Sequence, residues 1–213
     1  GVDTLRQWVQ EPQGIGFAAQ PPQRRAAALY AAALGAQQLR DMAVARSAVQ
    51  KLEALAQADP AALRLVRLLR AEIELAAGDA SAAQTALPEA KGIGTRTRRP
   101  ELLLRTRVLL QAGQASAGTG ALQTWVANHP KDSSAWQSLA AVWQAQGQGL
   151  RAIRAEAEAH AARYDYAAAV DRFKAGQDLA RRDGAAADHI EASIIDTRLR
   201  AMESLLREQA AER

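Results

Sequence analysis

Small residues recur in this chain at a spacing of 34 or 35 positions, and that recurrence limits the folds open to it. Backwards from Ala140 the walk reaches Thr106, Ala71 and Ala36; from Gly147 it reaches Gly113, Gly78 and then Ala43. Ala48, Ala83, Gly118 and Ala152 follow in each unit, with Leu52, Leu87, Leu122 and Glu156 four residues further on. Pro60, Thr95 and Pro130 come near the end of a unit. Glycine in mid-unit permits a turn, proline stops a helix, and small residues let helices approach closely. A unit of this length cannot bury an apolar face alone, so copies must stack.

Inside a unit the periodicity is helical. Trp136, Leu139, Ala140 and Trp143 fall on one face of a 3.6-residue helix, which marks that face for packing. Arg70, Glu74 and Glu156 depart from the pattern, Glu74 standing where Leu39 and Trp143 are large and Glu156 where a bulky residue is expected.

These positions resemble the tetratricopeptide repeat, a helix–turn–helix unit of 34 residues with small and large positions in this order. The best unit reads Trp136, Leu139, Ala140, Trp143, Gly147, Ala152 and Ala159. The expected fold is therefore all-α, a tetratricopeptide-type helical-hairpin solenoid of about four to five repeats with a C-terminal capping helix. Its expected divisions are a short N-terminal helix and Gly/Pro linker over 1–22, repeats over 23–184, and the cap over 185–213.

Composition agrees with closely stacked helices: 48% of residues are hydrophobic but only 4% aromatic, and alanine, which dominates, is the strongest helix former. No apolar run is long enough to span a membrane. The start GVDTLRQW lacks the basic and apolar regions of a signal peptide, and without an initiator Met the chain reads as a mature fragment or as an expression product with Gly1 left by cleavage. The absence of cysteine excludes disulfides and thiolate chemistry. A formal charge of +4 on a mixed surface indicates solvated faces rather than a polyanion partner.

Element by element, a helix is expected near Val2 to Gln10, followed by a non-helical linker EPQGIGFAAQPP. The helical pairs expected are Gln23–Leu39 with Ala43–Gln57, Ala61–Ala77 with Ser81–Ala90, and Glu101–Ala112 with Gly118–Asn128. The last helix of these is the weakest, because SAGTG holds two glycines. A fourth pair begins at the Trp136 helix and continues over Leu150–Arg163. Beyond it, Asp165, Tyr166, Ala169 and Phe173 resemble a second helix where a first is due, so Leu150–Arg163 can be shared by two units. The cap, Ala186–Glu208, is expected to turn Ile190, Ile194, Ile195, Leu199, Met202 and Leu206 inward and Asp188, Glu191, Arg198, Arg200 and Arg207 outward.

The tail RYDYAAAVDRFKAGQDLARRDG with IEASIIDTRLRAMESLLRE resembles the C-terminus of Gram-negative periplasmic zinc metallopeptidases of the beta-barrel assembly-enhancing protease (BepA) type. In that family a catalytic HExxH domain precedes a tetratricopeptide domain, and this chain corresponds to the second. The resemblance implies a periplasmic location and partners among outer-membrane β-barrel precursors, their assembly machinery and an upstream protease domain. Zinc is expected only in that upstream domain. This chain has no HExxH, and His129, His160 and His189 stand apart, so no catalytic, cofactor or metal residue is expected in it.

His189, Ser193 and Asp196 share one helix and so lack the converging elements of a triad. GIG at 14–16 and 92–94 lacks the rest of a dinucleotide fingerprint, and Glu72/Glu74 and Glu156/Glu158 point to different helix faces. The basic run Lys91, Arg96, Arg98, Arg99, Arg105 and Arg107 has no interleaved aromatics for stacking bases, which ranks an acidic protein surface or the preceding domain above nucleic acid.

The function expected is that of a noncatalytic protein–protein interaction domain in outer-membrane protein assembly and quality control. A stand-alone tetratricopeptide adaptor is the alternative, and an RNA-binding helical repeat ranks third. In tetratricopeptide arrays the first helix of each unit lines a concave groove. That geometry selects Tyr30, Gln37, Arg40, Glu72, Arg107, Gln111, Gln137 and Gln144 for contact with a protein or peptide.

Overall fold

Five turns of this chain share one hydrogen-bond pattern, and they organise the helices around them. The computed structural model describes Asp3 and residues 15–87, 98–183 and 188–211. Among these residues it is all-helical, with no strand: α1 (Ile15–Ala18), α2 (Pro22–Gln38), α3 (Met42–Ala56), α4 (Pro60–Ala76), α5 (Ala80–Ala86), α6 (Arg99–Gln111), α7 (Ser116–Asn128), α8 (Ser133–Ala145), α9 (Gly149–Ala161), α10 (Tyr166–Asp183) and α11 (His189–Ala211). Of the helix expected near Val2 to Gln10 only Asp3, in helical conformation, is described. Lys91, Arg96 and the second GIG lie outside the described residues.

In each of the five turns the residue in left-handed conformation is followed by one whose N–H reaches back five residues. Arg40 (φ 59°), Gly78 (φ 85°), Gly113 (φ 70°), Gly147 (φ 70°) and Tyr164 (φ 62°) hold the left-handed position. The N–H groups of Asp41, Asp79, Gln114, Gln148 and Asp165 donate to the carbonyls of Ala36, Glu74, Leu109, Trp143 and His160. This is the Schellman closure, which satisfies helix-end carbonyls. At three of the turns an aspartate then caps the next helix, Asp41 accepting from Val44, Asp79 from Ala82 and Asp165 from Ala168. Asp59 and Asp132 cap α4 and α8 at turns of a different build.

The turns correct the register of the first unit. Its left-handed residue is Arg40, not Ala43, which is already inside α3. Counted from the turn, the counterpart of Ala140 is Ala33 rather than Ala36, and that of Trp143 is Ala36 rather than Leu39. Ala33 and Ala36 are both buried, as are Ala45 and Ala48. Alanine at both i and i+3 satisfies the small-residue rule in two registers, and only the turn decides between them. Leu39, in the turn, is 53% exposed.

Two further expectations are corrected, and a third element, the helix expected over Gly118–Asn128, is present as α7. The linker before α2 contains a helical turn, α1, from which Phe17 is buried. Arg99 and Pro100 belong to α6 and not to a loop. Both glycines of SAGTG lie within α7, where Gly118 is buried and a β-carbon on it would stand 3.4 Å from Leu109 Cδ1. The lost side chain there allows close packing, which outweighs weak helix propensity.

The chain forms two compact units, Gly1–Leu104 and Arg105–Arg213. In the first, α2 packs on α3, α3 on α4 and α4 on α5. Its core includes Phe17, Leu29, Val49, Leu52, Leu69 and Ile73, and each such side chain contributes about 1.5–3 kcal/mol when fully buried. In the second, each helix from α7 to α11 packs on the next, and α9 also touches α11. Phe173, Ile195, Leu199 and Met202 are in its core.

In the second unit α9 and α11 run parallel, since their partners advance together: Arg151 with Asp188 at 3.0 Å, Arg154 with Glu191 at 2.8 Å, Arg198 with Glu158 at 2.6 Å. This corrects the inward and outward sorting of the last helix. Ile190 is 77% exposed, while Glu191 is buried. Arg198 is half-buried against Glu158. The turn at Tyr164 is of the kind found within a hairpin, and it comes only seventeen residues after Gly147. α9 therefore follows one such turn and precedes another, closing one hairpin with α8 and opening the next with α10.

Candidate binding surface

Polar residues on a helix that buries its other face stay at the surface. Six of the eight expected contact residues sit on the first helices of hairpins with side chains well exposed: Tyr30 on α2, Glu72 on α4, Arg107 and Gln111 on α6, and Gln137 and Gln144 on α8. Gln37, also on α2, is half-buried. Arg40 is corrected: α2 ends at Gln38, and Arg40 occupies the turn. Tyr30, Gln37, Arg40 and Glu72 belong to the first unit, the other four to the second.

The structure brings Gln37 and Arg40 together. With Gln38 they supply the polar lining of a surface depression of about 650 Å³ whose apolar lining is Leu34, Met42, Ala76 and Ala77. Tyr30 and Glu72 do not line it. The α2–α3 turn and the C-terminal end of α4 frame this depression. Arg40 makes no side-chain hydrogen bond or ion pair with any described residue, and Asp41 beside it is engaged with the Val44 N–H. Leu34, Gln38 and Met42 were not legible as site residues; the only signal was an arginine at a turn position where other units have glycine.

The tryptophans of α8 serve packing. Trp136 Nε1 donates to the Pro130 carbonyl at 2.9 Å, and the Arg154 guanidinium lies 6.0 Å from the Trp136 ring centroid. Arg151 lies 5.1 Å from the Trp143 centroid. Each arginine thus lies near both an indole of α8 and a carboxylate at the N-terminal end of α11, in two successive tiers. In the outer tier Asp188 accepts from the Glu191 N–H and from Arg151, which hold its carboxyl below the usual range. In the inner tier burial pushes the Glu191 carboxyl up, against the opposing pull of Arg154. Arg154 Nε and Glu191 Oε1 are close without forming an aligned hydrogen bond, so the charge is incompletely compensated.

The described residues contain no group of three or more His, Asp or Glu placed to hold a metal. His129 packs its ring 4.2 Å from that of Trp125, and His160 Nδ1 lies 3.5 Å from Asp165. Among the described residues no helix is long and apolar enough to cross a membrane. No protein-family model and no curated protein matches this chain. Fold and surface define an all-helical protein of short antiparallel hairpins with polar first-helix faces.

Proposed function

We propose that this chain is a noncatalytic protein-interaction module built from tetratricopeptide-type hairpins. The observation that carries the proposal is the spacing of the shared turn: thirty-five residues separate Gly78 from Gly113 and thirty-four separate Gly113 from Gly147, each with the same hydrogen-bond closure. Hairpins repeated at that period present one helix of each pair to a partner, and the exposed Glu72, Arg107, Gln137 and Gln144 suit hydrogen bonding to a polypeptide.

The narrower proposal, resting on the tail from Arg163 to Glu208, is that the module is the C-terminal domain of a periplasmic zinc metallopeptidase that handles outer-membrane β-barrel precursors. The stand-alone adaptor is the other form of the same proposal. Residues encoded upstream of Gly1 separate them, because an HExxH helix there belongs to the first form alone. Calorimetric titration with a β-barrel precursor diluted from urea tests the module itself. The expected result is binding with the precursor left intact; cleavage of the precursor by this chain would refute the noncatalytic role.

A further inference from the structure

Of the five equivalent left-handed turn positions, three hold glycine, and Arg40 is one of the two that do not. A side chain in that conformation costs about 1 kcal/mol or more relative to glycine. Arginine at position 40 is therefore unfavourable for the turn, and no side-chain hydrogen bond or ion pair with a described residue offsets the cost, although arginines such as Arg46, Arg154 and Arg198 do pair with carboxylates. It lines the depression together with Gln37 and Gln38, and no acidic residue lines it. A lone guanidinium among amide donors is suited to an oxygen anion.

We infer that this depression receives an acidic side chain of a partner polypeptide, the carboxylate meeting Arg40, Gln37 and Gln38 while a neighbouring apolar side chain of the same segment meets Leu34 and Met42. This rests on the proposed role as a polypeptide-binding module. Asp41, the neighbouring carboxylate, accepts from the Val44 N–H at the start of α3 and does not line the depression. A volume of about 650 Å³ with a half-apolar lining exceeds what a bare anion needs and fits two adjacent side chains. A nucleic-acid backbone would require several cations in a row, and one lines this site.

The test is fluorescence anisotropy with two end-blocked, fluorescein-labelled peptides, one of Glu, Leu and Gly and one with Lys in place of each Glu. The acidic peptide is expected to bind, more weakly as salt rises, and the basic one not to bind. Arg40→Gly relaxes the turn, so it is expected to resist urea better than the parent while losing affinity about tenfold, the scale of one charge-assisted hydrogen bond. Arg40→Lys is expected to lose less. Unchanged affinity in Arg40→Gly, or equal binding of both peptides, overturns the inference. If neither peptide binds while the unfolded β-barrel precursor does, this site is refuted and the module role stands; if none of the three binds, both fall.

Discussion

Arg46 of α3 grips the carboxylate of Glu74 on α4 at both oxygens, its Nε lying 3.2 Å from Oε1 and 3.0 Å from Oε2, with Nη2 2.6 Å from Oε2. Glu74 is 5% exposed and stands four residues before its turn, the place held by Trp143 in the later unit. A carboxylate thus fills a position that elsewhere buries an indole, and the neighbouring helix neutralises it. A buried charge is tolerated when paired and costly when its partner is removed. Arg46→Ala is therefore expected to lower the melting temperature more than Glu74→Leu does. Adding Glu74→Leu to Arg46→Ala should recover most of the loss. Circular dichroism melts of the three variants check this, and a double variant that melts below both singles would contradict it.

The left-handed turn residues make opposite predictions for arginine and glycine. Arg40→Gly should gain about 1 kcal/mol in urea unfolding, whereas Gly147→Ala should lose about 1 kcal/mol or more. Tyr164→Gly should gain less than Arg40→Gly, because Lys131 lies 5.9 Å from the Tyr164 ring centroid and a contact of this kind is worth about 0.5 kcal/mol at an exposed site. Equal gains at the two positions would remove any role for that contact.

Glycines inside helices divide by their surroundings. Gly120 is exposed on α7 with nothing within 4 Å of an added β-carbon, so Gly120→Ala should stabilise by about 1 kcal/mol through helix propensity alone. At Gly176 on α10 the added carbon would stand 3.0 Å from Ile195 Cδ1. Ile195 is 1% exposed and cannot easily yield, so Gly176→Ala should show no such gain and a net loss of up to about 2 kcal/mol. Chemical denaturation of the pair decides it; the same gain at both sites would mean that α10 and α11 are less closely packed than the structure shows.

Glu191 gives the pH prediction. Burial raises its carboxyl from 4.5, with Asp188 adding to the shift and Arg154 and Arg151 opposing it. Between 4.5 and that raised value the folded chain holds more protons than the unfolded one, so this group's contribution to stability grows as pH falls through the window. Asp188, lowered from 3.8, acts in the opposite sense: its contribution is present above 3.8 and is lost as pH falls below it. Relative to Glu191→Gln, the parent should therefore gain stability as pH drops from neutral towards 4.5. Urea unfolding of both proteins across that range checks it, and a difference that shrinks on acidification would contradict the assignment.

Helix pairs from α2 to α9 were legible because apolar periodicity and Gly or Pro punctuation act locally. Gly78, Gly113 and Gly147 announced their turns by residue type, whereas the turn at Arg40 did not, since arginine carries no preference for that conformation. Register in the first unit was lost for the same reason, with alanines three apart fitting either frame. The burial of Glu191 and the exposure of Ile190 were illegible because they depend on the arginines of α9, a helix nearly forty residues away in sequence. For the surface, exposure of Glu72, Arg107, Gln137 and Gln144 followed from helical phase. The depression at Arg40 required the end of α4 to meet the α2–α3 turn.

Site-specific photo-crosslinking tests the interaction role most directly. A photoreactive phenylalanine analogue is placed at Gln137, Gln144 or Glu72 on first helices, and at the exposed Gln50 of α3 or Gln123 of α7 on second helices. With an unfolded β-barrel precursor as probe, adducts are expected from the first-helix positions and not from the second-helix ones. Adducts of equal yield from both sets, or from Gln50 and Gln123 alone, would contradict the account.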